Sequence, residues 1–347
     1  MKDMYLENKN ILFISTETFG IEKKIKEKLE GLGAKVDYYN ERPSNTILIK
    51  GLIRLKSRYV QKIINKYYNS ILEEIINKEY DYLFVIKGEA IPIFFLKSFI
   101  KNHPQTDRIF YTWDSILNNN NAIKLLDFFN NKFTFDDKDA IKYNMNLRPL
   151  FYFDDFRQFE SLDISQYKYE LLHIGTAHSD RYILTNKITN WCKNKGLETY
   201  SFFFLQSRIV YFFYKFFDNS FKSFDYKKIS FKSLSTSDII DFYKKSRVIL
   251  DINHPDQVGL TMRTFEAIGA NKKIITTNEQ IKNYNFYNPI NILIINRNSI
   301  QLNEEFFKTP YQKIEKDIYY NLSLDGWVKE IFNINKNNDW LIKDHYN

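Results

Sequence analysis

The chain has 347 residues, enough for two domains of ordinary size. Hydrophobic residues make up 44% and charged residues 27%, which excludes a wholly disordered chain, and no apolar run approaches the roughly 20 residues needed to span a bilayer. A formal charge of +8 favours anionic partners: nucleotide phosphates, acidic lipid headgroups or nucleic acid.

The pattern opens with a strand at Ile11–Ser15, a polar loop at Thr16–Gly20 and an amphipathic helix at Ile21–Gly31. Ile21, Ile25 and Leu29 share one face of that helix, which Gly31 and Gly33 stop. A second strand follows at Lys35–Tyr39, then a long basic helical region over Ile47–Lys78. Tyr82–Ile86 reads as a strand ending at Lys87-Gly88-Glu89, and Pro92 starts another helix. Ile109–Trp113 is a strand ending at Asp114; Lys132–Phe135 and Pro149–Tyr152 are the later strands. Four or more strands separated by helices predict a Rossmann-like domain over residues 1–153. The polar stretch Asp154–Tyr167 is the expected boundary.

The alternation then restarts. A strand at Tyr169–Ile174 leads into Gly175-Thr176-Ala177-His178-Ser179-Asp180-Arg181 and a helix over Asp180–Lys193. Strand Glu198–Phe203, an aromatic helical segment and the helix Ile239–Lys245 follow. Cys192, the single cysteine, can form no internal disulfide, which fits a reducing cytoplasm; beside Trp191 it reads as a small buried hydrophobe. Ile11–Ile14 is too short to be the core of a signal peptide. Next comes the stretch that organises the second half, Arg247 to Asn278. A short apolar run, Val248–Ile252, is followed by a loop with Gly259, a helix over Leu260–Ala270 and a strand over Lys273–Thr277. That spacing is a βαβ unit and implies a parallel sheet, with Asn291–Ile295 as a further strand. Its loop and helix start lie at the carboxyl end of a strand, where open α/β sheets bind ligands. Arg263 sits in the first helical turn, and Glu266, three residues on, projects from the same face. The pair suits a nucleoside diphosphate sugar, an arginine for phosphate and a carboxylate for the ribose diol; as a bare i,i+3 surface pair it would carry no function.

The segment GLTMRTFEAIGANKKIITTN resembles the donor-binding βαβ unit of glycosyltransferases with the GT-B fold, and more closely those of bacteria that build capsule or lipopolysaccharide sugars. The resemblance implies an α/β protein of two Rossmann-like domains facing across a cleft that holds the active site, the second domain spanning 168–322. It implies that Glu266 holds the donor ribose. Many family members carry another Glu eight residues earlier; Val258 stands there, with Asp256 and Gln257 nearby. The tail, 323–347, looks helical over Ser323–Asp344, with Trp327, Ile331 and Trp340 as apolar anchors, and by resemblance packs back on the first domain.

Each expected site residue also has a plainer structural reading. Gly175, Thr176, His178 and Arg181 form a small-residue loop that can cradle phosphate, or an ordinary βα turn with a solvated Asp-Arg pair. Gly259 and Thr261 precede the donor helix, and Thr261 reads first as its cap. In the first domain, Glu17, Glu89 and Asp114 stand at strand ends, where an inverting transferase needs a base for the acceptor hydroxyl. Asp114 leads, or else caps the next helix, and Tyr111 or Trp113 could stack on a sugar. Ser201–Phe231, dense in Phe and Tyr, reads first as a packed helix with loops and second as a surface for peripheral contact with anionic membrane. No metal motif is present, and a GT-B enzyme needs neither metal nor cofactor beyond its nucleotide-sugar substrate. The expectation is a cytoplasmic glycosyltransferase acting from a nucleotide sugar onto a lipid-linked or growing surface glycan. Its rivals are a non-catalytic nucleotide- or sugar-binding protein and, ranked low because the charges are spread out, a nucleic-acid-binding protein. No G-x-G-x-x-G follows the first strand, so a dehydrogenase is poorly supported.

Overall fold

The computed structural model describes residues 4–43, 58–158, 167–255, 257–334 and 339–342. The chain divides into two compact units, Met1–Pro149 with Leu324–Asn338, and Leu150–Ser323 with Asp339–Asn347.

The first unit is a six-stranded parallel sheet. Its strands are β1 (Asn10–Ser15), β2 (Lys35–Asn40), β3 (Tyr82–Ile86), β4 (Asp107–Thr112), β5 (Asn131–Thr134) and β6 (Asn146–Leu147), in the order β2-β1-β3-β4-β5-β6. β1 and β3 are buried along nearly their whole length, as parallel strands covered on both faces must be. Helices Ile21–Gly31, Arg58–Ile75 and Ile93–Asn102 are the crossovers that such pairing requires. Helix Leu324–Ile331 belongs to this unit as well. It buries Trp327 against Phe84 and Tyr111, with ring centroids 6.0 and 4.8 Å apart. Beside it, fully buried Arg148 meets Glu330, Nε to Oε2 at 3.0 Å.

The second unit repeats the plan with β7 (Tyr169–Thr176), β8 (Thr199–Phe204), β9 (Ile229–Ser230), β10 (Ser246–Asp251), β11 (Lys273–Thr276) and β12 (Ile292–Ile294). Its order, β12-β11-β10-β7-β8-β9, is the Rossmann order. The chain doubles back between β1 and β3 in one sheet and between β7 and β10 in the other. Those reversals leave a crevice beyond the carboxyl ends of the two central strands.

Three expectations change. No strand forms at Pro149–Tyr152: Pro149 has no N–H to give, and Tyr152 makes only an isolated bridge to Ser323, its N–H donating to Leu322 O at 3.0 Å. The terminal helix stops at Ile331, and Asn333 follows with φ 55°. Trp340 is buried in the second unit, where its carbonyl accepts from Asn285 N at 3.0 Å. The two-residue strands β6 and β9 are too short to leave a periodic signal. Parts of the basic region (44–57), the boundary (159–166), Asp256 and parts of the tail (335–338 and 343–347) lie outside the described residues.

Candidate functional site

In the second unit the loops after β7 and β10 meet at the reversal of strand order. Gly175 and Thr176 end β7, and Arg181 opens helix Arg181–Asn194. Arg181 spans the crevice. Its Nη1 donates to Thr176 O (3.1 Å) and Thr176 Oγ1 (2.9 Å), and its Nε donates across to Ile252 O (2.7 Å), just past β10. A Cβ on Gly175 would lie 3.1 Å from His173 Nε2 and 3.3 Å from Arg181 Nη1, so glycine leaves the guanidinium its room. Among the described residues Arg181 Nη2 donates to no protein atom.

Asp251, buried at the end of β10, sets the helix that follows. It accepts from Thr261 Oγ1 (2.7 Å) and Thr264 Oγ1 (2.6 Å). Thr261 is also the N-cap of helix Met262–Gly269, its hydroxyl accepting from Arg263 N at 3.1 Å. Gly259 lies in the approach, where its carbonyl accepts from Gln257 Nε2 at 3.0 Å. Arg263 Nη1 donates to Glu266 Oε2 at 2.6 Å and to Tyr243 OH at 3.3 Å. Burial works against the Arg263 charge, but Glu266 and Tyr243 hold it above its ordinary value.

A third arginine joins them. Arg297, beyond β12, donates to both oxygens of Asp180 (2.7 and 2.9 Å), to Asn253 O (2.6 Å) and to Thr277 Oγ1 (3.1 Å). Burial, and then the nearby Arg263 and Arg297, lower Arg181 to about 10. His178 is pushed down to about 3 by burial and by Arg181, so its imidazole is neutral. It hydrogen-bonds Ser179 Oγ at 3.0 Å, and its ring lies 5.4 Å from that of His254. Three guanidiniums at one strand-end edge, with a spare donor, form a place for a compact polyanion.

The first unit gathers carboxylates. Lys87, held at φ 84°, opens the loop after β3, and its Nζ lies 2.6 Å from Asp114 Oδ2 and 3.6 Å from Glu89 Oε2. Arg42 pairs with Glu89 from the other side. Asp114 caps no helix; Ser115 holds the N-cap position of the next turn. Thr112 Oγ1 donates to Asp114 O at 2.6 Å, and Asp114 N donates to Thr112 Oγ1 at 3.2 Å, which fixes the loop. The structure thus brings Asp114 and Glu89 together on Lys87, while Glu17 stands exposed after β1. Tyr111 cannot stack on a ligand: it is fully buried, its hydroxyl donating to Arg148 O at 3.1 Å.

Four residues escaped the sequence reading. Arg297 lies beyond the last strand, where a charged residue at a strand end was the available signal. Asp251 and Tyr243 were read only as parts of a strand and a helix. Glu41, fully buried past β2, takes Ala90 N on Oε1 and has no partner on Oε2 among the described residues. Burial above all, with Glu89 adding, pushes its carboxyl up to about 7. Cys192 is buried, its thiol pushed up to about 12.

No family model matches the sequence, and no curated protein matches it either. Solved structures do match in fold. A glycosyltransferase from Rickettsia africae ESF-5 superposes with a TM-score of 0.55 at 16% identity, over 94% of this chain and 98% of that one. An α,α-trehalose-phosphate synthase (UDP-forming) from Burkholderia vietnamiensis gives 0.60 at 9% identity, over 94% and 100%. A UDP-GlcNAc 2-epimerase from Neisseria meningitidis, bound to UDP-GlcNAc, gives 0.52 at 7% identity, over 94% and 99%. The likeness shows the fold, two Rossmann-like α/β units of the GT-B class.

Proposed function

We propose that the chain is a glycosyltransferase that takes its sugar from a nucleotide-sugar donor. One observation carries this: a spare-donor arginine spans the strand-order reversal of the second sheet, in company with two further arginines and a carboxylate. Arg181 Nη2 and Arg263 meet the diphosphate, and Glu266 takes the ribose diol. The neutral His178 serves as a hydrogen-bonding partner and adds no charge. The acceptor hydroxyl attacks the anomeric carbon and gives its proton to a carboxylate, with Asp114 first and Glu89 and Glu17 behind. The bond to the diphosphate breaks, the departing oxygen keeps the electron pair, and the arginines stabilise its charge. On this proposal the reaction needs no metal. The acceptor is a lipid-linked or growing surface glycan of capsule or lipopolysaccharide type, met in the cytoplasm.

A second reading follows from the likeness to a nucleotide-sugar epimerase, which shares the fold at a similar score. The test serves both. Nucleotide sugars are screened by thermal shift, and products from the best binder are analysed with and without glycan acceptors. Transfer releases the nucleoside diphosphate only with acceptor present. An epimerase yields a second nucleotide sugar without acceptor. Tight binding with neither product favours a binding protein and sinks the transferase.

A further inference from the structure

Helix Arg208–Phe217 is apolar on both sides, and only one side is packed. Its inward face sets Val210, Tyr211 and Tyr214 on a cluster of Phe203, Phe221 and Phe224. Its outward face carries Ile209, Phe212, Phe213 and Phe216, the i, i+3, i+4, i+7 spacing of one helical stripe, with Phe217 beside them. Ile209 is 81% exposed, and Phe216 and Phe217 are each 76% exposed. A contiguous apolar surface of this kind is costly in water and marks a contact site.

We propose that this face seats the second unit on an anionic lipid bilayer. Cations border the stripe. Arg208 opens the helix, Tyr226 stacks on Phe212 at 6.4 Å, and Lys227 and Lys228 follow it, with Lys222 and Lys232 also exposed. Residues 207–232 hold six cationic and two acidic side chains. An aromatic stripe edged by lysines is the pattern of a helix lying in the membrane interface, where rings sink among the acyl chains and ammonium groups reach the headgroups. Among the described residues no helix is long and apolar enough to cross a membrane, so the contact is peripheral. A second copy of the chain fits less well, because a two-fold contact would set the same cations against one another. The helix follows β8, which pairs with β7 up to Thr176↔Phe204. The helix therefore starts beside the strand-end edge that holds Arg181, its inward face packed on the cluster that includes Ala177 and Tyr182. The surface alone carries this inference, which is independent of what the arginines bind.

The test is flotation of the full chain with phosphatidylglycerol-containing vesicles and with pure phosphatidylcholine vesicles. The wild type should partition about tenfold or more in favour of the anionic vesicles, and 1 M salt should remove most of that preference. Phe216→Ser with Phe217→Ser should lower partitioning about tenfold or more, and Lys227→Glu with Lys228→Glu should abolish the anionic preference. Melting temperatures check the fold; if the phenylalanine pair destabilises the chain, Ile209→Ser on the same face replaces it. Failure of the wild type to float with anionic vesicles overturns the proposal. So does flotation that none of these substitutions changes. Self-association that the phenylalanine pair abolishes, without vesicle binding, assigns the face to a second copy instead.

Discussion

Replacing Arg181 with glutamine probes the anion site most directly. The guanidinium is held by Thr176 and Ile252 through Nη1 and Nε, which leaves Nη2 for a ligand. Burial and the neighbouring Arg263 and Arg297 lower it from 12.5 to about 10, so the protein holds the charge there at a cost of about 3 kcal/mol. A diphosphate reverses that penalty by supplying the opposite charge. In Arg181→Gln, lost bonds to the two loops and relief of the charge offset one another, and the unliganded melting temperature should move by only a few degrees, on the order of 1 kcal/mol. Nucleoside diphosphate affinity should fall by about 1.5–3 kcal/mol, roughly 10- to 150-fold, the loss of a charge-assisted bond. Affinity for the free nucleoside should stay within about twofold, since it carries no phosphate. Calorimetric titration of both ligands against wild type and variant decides the matter. Equal losses for nucleoside and diphosphate would refute the reasoning and leave Arg181 as a loop brace.

Three further outcomes are expected. Glu266→Gln keeps the shape but weakens the bond from Arg263, and titration with the cognate nucleotide should show a loss of about 1.5–3 kcal/mol; unchanged affinity removes Glu266 from the site. Asp114→Asn should leave donor affinity nearly intact and cut transfer by about 10²–10⁴-fold; full activity excludes Asp114 as the base, and full activity in Glu17→Gln and Glu89→Gln as well points to a mechanism without one. For Glu41 the folded carboxyl is raised to about 7, above its unfolded value near 4.5. Its contribution to stability is therefore complete below about pH 4.5 and is lost as pH rises through 7. Urea unfolding should show a drop of about 2–3 kcal/mol from pH 5 to pH 8 that Glu41→Gln flattens; an equal drop in both proteins acquits Glu41.

The sheet order of neither unit is written in any one segment, but most strands were legible. Parallel strands covered on both faces are short continuous apolar runs, and Tyr82–Ile86 and the core of Ser246–Asp251 show it. Glu266 and Arg263 were legible because one helix carries both, so their spacing alone puts them together. Arg297 was not: it reaches Asp180 across 117 positions, a contact that only the sheet order creates. Glu41 was missed for a related reason. Nothing local distinguishes a solvated glutamate in a polar loop from one buried beneath Ala90. The aromatic stretch after β8 gave a composition without a direction, because inward and outward faces both carry rings and only the packing tells them apart.

The first unit is made of two pieces separated by Leu150–Ser323, the larger part of the second. When the ribosome has released Pro149, the face that bears Phe84 and Tyr111 still lacks Trp327, and the Arg148 guanidinium lacks Glu330. At about 5–20 residues per second, the missing helix arrives roughly 10–35 s later. In that interval an aromatic face and an uncompensated cation are exposed on a nearly complete sheet, a state open to chaperones and to aggregation. The second unit is nearly continuous, Leu150–Ser323, and waits only for the short segment that brings Trp340. The sheet begun first therefore waits longer for its last piece than the sheet begun second.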